Sequence, residues 1–211
     1  MSVTPQKIVP KSADALSESG TPPDDPIELF RAWLADAAEN GVREPGALAL
    51  ATADAQGRAS NRIIQLGPLT SDGFVFATHD ISPKARDMEA TAWASAVLYW
   101  RETDQQTVLS GRVTRLPDVE SDELWRVRSI DAQAMTTVSR QSEPLDDAAA
   151  LRAEVGKLAE AGKPLPRPAR FVGYHLAPES VEFWHTGKDR LHKRLLYSRV
   201  AGGWSVTRLQ P

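Results

Sequence analysis

From Asp25 onward the chain alternates between two hydrophobic periods, and the alternation predicts its elements. Asp25 followed by Pro26 reads as a cap and a first helical position, after which Ile27, Phe30, Trp33, Leu34 and Ala37 share one helical face until Gly41. From Ala47 the period shortens to two, giving candidate strands at 47–53, 59–66, 74–78, 94–101 and 106–116. Asp54-Ala55-Gln56-Gly57 and Ser71-Asp72-Gly73 are short enough for hairpin turns, so neighbouring strands are expected to pair antiparallel, as a meander that closes into a barrel. Ser82 and Pro83 open a short helix to Ala90 whose N-terminus suits an anion. Residues 118–128, 132–140 and 145–161 read as helices, and the proline-rich stretch from Pro164 to Pro168 ends them. Strands resume at 171–176, 180–184, 194–200 and 204–209, with Ala201-Gly202-Gly203 as the last turn. Trp33, Trp93, Trp125 and Trp204 occupy amphipathic positions and are expected in the core. The fold class is α+β, predominantly antiparallel β, with helices around a barrel.

Residues 1–24 hold Pro5, Pro10, Pro22 and Pro23 among polar residues and have no apolar periodicity, so they are expected to form a flexible arm before one domain spanning 25–211. Over 211 residues the formal net charge is −3, which offers no broad cationic face for nucleic acid. The hydrophobic share of 41% is enough for a real core. No cysteine is present, which removes disulfides, thiolate catalysis and sulfur-based metal sites, and fits a reducing cytoplasm. No apolar run is long enough to span a membrane, and the N-terminus has no apolar signal core. A soluble cytoplasmic protein is the expectation. Its glycines never form a dinucleotide loop or a P-loop, and there is no G-x-S-x-G elbow. His79, His175, His185 and His192 show no ligand spacing, so no metal site is expected.

What remains is cationic and polar residues where a barrel has no need of them. Arg62 interrupts an apolar strand, Thr78 ends another, Lys84 opens the short helix, and Gln105-Gln106 begins a further strand. The segment from Trp184 to Arg194 packs arginines, lysines and histidines beside an aromatic ring. Such clusters invite an anion, because arginine donates a bidentate fork and lysine a point charge. A solvated charged turn is the alternative that spacing leaves open.

Several strings narrow the choice: Arg62-Ile63-Ile64-Gln65, Phe76-Ala77-Thr78, Ser82-Pro83-Lys84-Ala85, Gln106, Ser139-Arg140-Gln141-Ser142, Glu182-Phe183-Trp184, Arg190-Leu191-His192-Lys193-Arg194 and the ending Arg208-Leu209-Gln210-Pro211. Taken in order, they resemble the pyridoxamine 5′-phosphate oxidase family from about Asp25 to the end. The stretches from Leu98 to Gln106 and from Ser139 to Glu143 are most similar to family members that act in phenazine biosynthesis.

The resemblance implies an FMN-binding split β-barrel that forms a homodimer, with FMN at the subunit interface. Carried over by position, Arg62, Thr78 and Lys84 hold the FMN phosphate, and Ile63, Ile64 and Gln65 run beside the cofactor with Ala77 and Pro83. Gln106, Gln141, Ser142, Trp184 and Arg194 line the rest of the pocket. Pro83 stands where the family usually has arginine. The family's cradle for the substrate phosphate matches Gly67, Leu124, Arg128 and Ala132 here, so three of four partners are missing. Losing one charge-assisted hydrogen bond costs about 1.5–3 kcal/mol, so pyridoxamine phosphate fits poorly. The replacements suit a reduced tricyclic phenazine carboxylate, with Arg128, Arg190 and His192 as substrate-binding residues and His192 as the candidate proton relay. The implied reaction is aromatisation of that substrate, with electrons passing through FMN to O2 to give H2O2. Pyridoxamine or pyridoxine phosphate oxidation is the competing activity, and a non-catalytic flavin- or haem-binding split barrel the competing class.

Overall fold

In the computed structural model, which describes residues 11–17, 20–187 and 190–211, the Asp25 carboxylate accepts a hydrogen bond from the Ile27 N–H at 2.8 Å, and Pro26 opens helix α1 (Pro26–Glu39). The cap commits the apolar stripe Ile27, Phe30, Trp33 and Ala37 to burial. The strands are β1 (Ala47–Ala53), β2 (Ala59–Gln65), β3 (Phe74–His79), β4 (Trp93–Trp100), β5 (Gln105–Arg115), β6 (Phe171–His185), β7 (Lys193–Val200) and β8 (Gly203–Leu209). Helix α2 (Pro83–Thr91) lies between β3 and β4, while α3 (Asp118–Arg126), α4 (Ile130–Val138) and α5 (Ala148–Glu160) fill the long connection from β5 to β6. All named strands pair antiparallel, in the order β2-β1-β4-β5-β6-β7-β8, with β3 on β6. The architecture is the expected antiparallel α+β barrel with peripheral helices.

The simple meander is corrected. Ser71-Asp72-Gly73 does turn, with the Thr70 N–H bonded to the Gly73 carbonyl at 2.9 Å, yet β2 and β3 share only the isolated bridge between Leu69 and Phe74. Strand β2 pairs with β1 and stays largely exposed on both faces, whereas Phe74, Val75 and Phe76 are all buried. A strand apolar on both faces needs cover on both, and pairing with β6 supplies it. The expected break between 176 and 180 is also absent, since β6 is one strand of 15 residues. Pro178 is tolerated because β3 pairs β6 only through Leu176 and β7 pairs β6 only from Ser180 onward, so no neighbour on that edge needs its missing N–H. On the other edge, β5 shifts register between Ser110 and Gly111. The divided edge of β6 is the split in the barrel.

Inward residues of β1, β3, β4, β5, β6 and β7 form the core, with Leu48, Leu50, Phe74, Leu98, Leu109, Leu176 and Phe183 fully buried. Helix α1 closes one end, its Trp33 ring lying 5.1 Å from Phe183 and 6.2 Å from Trp100. Trp125 is buried and Trp204 packs edge-on to Tyr197. Trp93 corrects its expectation at 41% exposure, because Ala94, Ala96, Leu98 and Trp100 take the inward parity of β4. In the segment expected to be an arm, Lys11–Leu16 forms a 3-10 helix with Leu16 buried. Arg208 donates to the Ser17 and Gly20 carbonyls, and the Tyr197 hydroxyl to the Pro23 carbonyl. Residues 1–10 lie outside the described residues. Among the described residues no helix is long and apolar enough to cross a membrane.

Candidate functional site

Strand β2 pairs Arg62 with Leu50 of β1, and the arginine folds back over that pairing. Its Nη1 donates to the Leu50 carbonyl at 3.0 Å and to Thr52 Oγ1 at 2.8 Å, and its Nη2 to Ser60 Oγ at 2.6 Å. The two hydroxyls in turn donate to Asp87 of α2, Thr52 at 2.6 Å and Ser60 at 3.2 Å. A guanidinium carries five N–H donors, so this scaffold fixes the group while leaving Nε and one Nη2 hydrogen for a ligand. Burial lowers the pKa of Arg62 from its ordinary value, and Asp87 opposes that shift.

Lys84 enters from α2. Ser82 caps that helix and Pro83 takes its first position, so the lysine lies one residue inside the N-terminus, where an anion is favoured. Only 6% of Lys84 is exposed. Its Nζ donates to Thr78 Oγ1 at 2.9 Å and to Gln141 Oε1 at 3.1 Å, and Thr78 also donates to Gln141 Oε1 at 2.9 Å. Burial first, and the charge of Arg62 second, push its pKa down to about 8.

Arg62, Ile63, Ile64, Ala77, Thr78, Pro83, Lys84, Gln141 and Ser142 line one cavity of about 390 Å³, together with Arg128. Nine of the expected cofactor residues and one expected substrate residue are thus brought together. Arg128 reaches the cavity from the link between α3 and α4, its guanidinium 5.2 Å from the centre of the Phe171 ring. Its Nη2 donates to Thr136 Oγ1 at 3.2 Å, while its buried Nε has no partner. Burial lowers its pKa. Three cations and no carboxylate stand in the wall. Such a donor set suits a multiply charged anion such as a phosphate monoester.

The remaining expected residues lie elsewhere. Gln65 is exposed and outside the cavity wall. Gln106, Trp184 and Arg194 form a row across β5, β6 and β7, Gln106 facing Trp184 and Trp184 facing Arg194. Arg194 is held by Glu182 at 2.7 Å and by the Gln210 carbonyl at 3.1 Å, and the Glu182 hydrogen bond raises its pKa. The Trp184 ring lies 4.9 Å from that of His192, whose Nδ1 accepts from the Gly187 N–H at 3.4 Å. Arg190 is exposed nearby with a φ of 64°, and Lys188 and Asp189 of the same cluster fall outside the described residues. Phe171 of the cavity begins β6 and Trp184 stands next to its end, so the cavity and the row occupy opposite ends of one strand.

The cavity also contains His79, read from the sequence only as a histidine without metal-ligand spacing, and Thr136 and Phe171, which have no place among the expected site residues. His79 follows directly on the Phe76-Ala77-Thr78 string, and that adjacency was the available signal. Thr136 and Phe171 carried none, because both read as ordinary helix and strand positions.

Comparison with known proteins follows the same lines. Residues 34–185 match the family model described as pyridoxamine 5′-phosphate oxidase, and residues 171–211 the model described as the pyridoxine 5′-phosphate oxidase C-terminal dimerisation region. The chain is 48% identical to a dihydrophenazinedicarboxylate synthase of Burkholderia lata, covering 95% of each. It is 38% identical to a pyridoxine/pyridoxamine 5′-phosphate oxidase of Ruegeria sp., covering 89% of this chain and 95% of that one. Among solved structures, PhzG from Burkholderia lata 383 in complex with tetrahydrophenazine-1-carboxylic acid superposes with a TM-score of 0.88 at 49% identity, covering 90% of this chain and 95% of that one. A cavity walled by the very strings that carried the resemblance, and a family model matched from α1 to the end of β6, lead to one conclusion: the chain belongs to the pyridoxamine 5′-phosphate oxidase family.

Proposed function

We propose that this protein is an FMN-dependent oxidase that aromatises a reduced tricyclic phenazine carboxylate, working as a homodimer with two shared sites. The observation that carries the reading is the cavity wall, in which Arg62, Lys84 and Arg128 converge and, among the described residues, no carboxylate lines the cavity itself. A phosphate monoester such as the tail of FMN suits the donors that Arg62 and Lys84 leave free. Bound there, FMN supplies the two-electron chemistry, with O2 as acceptor and H2O2 as product.

The protein's part is to hold and orient. Arg62, Thr78 and Lys84 grip the phosphate, and the β2 backbone from Ile63 to Gln65 borders the ring system. The row of Gln106, Trp184 and Arg194 lies too far along β6 to serve the same chain's cavity, so it serves the cavity of a second copy. Two of its three members, Trp184 and Arg194, fall within the stretch that matches the dimerisation region, which supports that assignment. Trp184 borders the flavin, His192 beside it faces the substrate, and Arg190 offers the substrate carboxylate a cation. With Nδ1 accepting from Gly187, His192 keeps Nε2 for substrate and is the candidate proton relay.

Two features favour a phenazine carboxylate over pyridoxamine phosphate. A Cβ at Gly67 would stand 2.4 Å from the Val75 carbonyl oxygen, so a lysine cannot take that place without moving β3. Leu124 is committed to apolar packing, its Cδ1 only 2.8 Å from where a Cβ of Gly173 would be. The relatives point the same way, the phenazine synthase being 48% identical and the phosphate oxidase 38%. The test mixes the FMN-loaded protein anaerobically with a reduced phenazine carboxylate. Bleaching of the flavin and its return with O2 support the proposal, whereas an unbleached flavin makes the protein a carrier. Robust turnover of pyridoxine phosphate would replace the proposed substrate.

A further inference from the structure

His79 ends β3 at 6% exposure, lines the cavity, and has no part in the roles assigned above. Its Nδ1 accepts a hydrogen bond from the Gln141 N–H at 3.4 Å, so Nδ1 carries no proton and the ring is the Nε2–H tautomer. Gln141 is where the segment after α4 enters the cavity, through the contacts of its side-chain oxygen with Thr78 and Lys84. Arg170 anchors the preceding turn, donating to the Thr136 and Thr137 carbonyls at the end of α4. The next residue, Ser142, has a φ of 71°, a left-handed conformation that serine keeps only where its surroundings impose it.

We propose that His79, acting as a neutral acceptor, is the positioning residue that fixes Gln141 and Ser142 in the cavity and thereby sets the affinity of the anion site. The inference deepens the reading of this cavity as the FMN phosphate site and rests on it. Three cations face the imidazole: Lys84 from α2, Arg128 from the link between α3 and α4, and Arg170 just before β6, with Asp80 as the opposing carboxylate. Burial and those cations hold its pKa below the ordinary histidine value, so the acceptor form prevails at neutral pH. Protonation would turn the acceptor into a donor confronting the Gln141 N–H.

Asparagine separates this role from bulk, because its Oδ1 occupies about the place of Nδ1 and does not titrate. The experiment compares wild type, His79→Asn and His79→Leu by FMN fluorescence titration near pH 8 and near pH 5.5, together with amide exchange of Gln141 in the apoproteins. Near pH 8, H79N is expected to bind within about twofold of wild type and H79L about 3- to 10-fold more weakly, the worth of one hydrogen bond. On acidification, once His79 takes up a proton, wild type should weaken relative to H79N. Equal affinities in all three proteins, an H79N variant as weak as H79L, or a wild type that strengthens relative to H79N on acidification would overturn the inference. If H79L does not fold, the pH comparison between wild type and H79N decides alone. If wild type takes up no FMN, it is the cavity's assignment that fails. The Gln141 amide then still reports on His79: protection in wild type and H79N with fast exchange in H79L supports the positioning role, and equal exchange refutes it.

Discussion

Replacing Lys84 by methionine should move stability and ligand affinity in opposite directions. The folded protein holds this lysine at 6% exposure with its pKa pushed from 10.5 down to about 8. Because the folded-state pKa is lowered, the unfolded chain binds the extra proton between about pH 8 and 10.5, and stability rises with pH through that window. Below pH 8 the full penalty applies, 2.5 units at 1.36 kcal/mol each, or about 3 kcal/mol. Methionine removes that penalty and also removes hydrogen bonds to Thr78 and Gln141, at about 1 kcal/mol each. The apoprotein should therefore be unchanged or about 1 kcal/mol more stable near pH 7, and its stability should lose the rise above pH 8. A bound phosphate makes a charge-assisted hydrogen bond with Lys84, worth about 1.5–3 kcal/mol, so FMN affinity should fall by about 10- to 150-fold. Wild-type affinity should also decline above pH 8 as Lys84 loses its proton, and K84M should show no such decline. Urea denaturation of the apoproteins and fluorescence titration with FMN measure both sides. An apoprotein weakened by several kcal/mol, or an FMN affinity within threefold of wild type, would show that Lys84 is neither a buried charge under strain nor a phosphate ligand.

Two further substitutions probe the scaffold. Asp87→Ala should cost about 1–3 kcal/mol in urea denaturation, because the buried Thr52 hydroxyl loses its acceptor; a change under about 0.5 kcal/mol would remove Asp87 from the Arg62 support. Gly67→Ala should cost about 1–3 kcal/mol by forcing β3 away from the added methyl, and an unchanged urea midpoint would show that the strand yields freely.

Local pattern reached most of the elements and much less of their arrangement. The strand at 47–53 is found as read, and the cap at Asp25 and the short helix after Ser82 also stand, because each depends on neighbours within a turn. The partner of β3 was out of reach. Its buried Phe74-Val75-Phe76 face demands cover, but the covering strand comes almost 100 residues later. The break read between 176 and 180 spans Pro178, and only the split edge of β6 makes that proline harmless within one strand. At the site, Arg62, Thr78, Lys84 and Gln141 were legible as matched strings, and the structure gathers them in one wall. Their mutual hydrogen bonds were not legible, nor was the placement of Arg128 beside them. His79 was set aside as a lone strand histidine, because its partner, the Gln141 N–H, is 62 positions away along the chain.

Each site is proposed to take its phosphate cavity from one chain and its Gln106, Trp184 and Arg194 row from another. Subunit mixing tests this sharing most directly. Lys84→Met spoils only the cavity and Trp184→Ala only the row, so each variant alone should bind FMN poorly. After denaturation and joint refolding, half the dimers are mixed, and in each of these one site combines an intact cavity with an intact row. About a quarter of all sites should then recover wild-type FMN affinity and turnover. No recovery in the mixed dimers would show that cavity and row belong to the same chain, and would contradict that sharing.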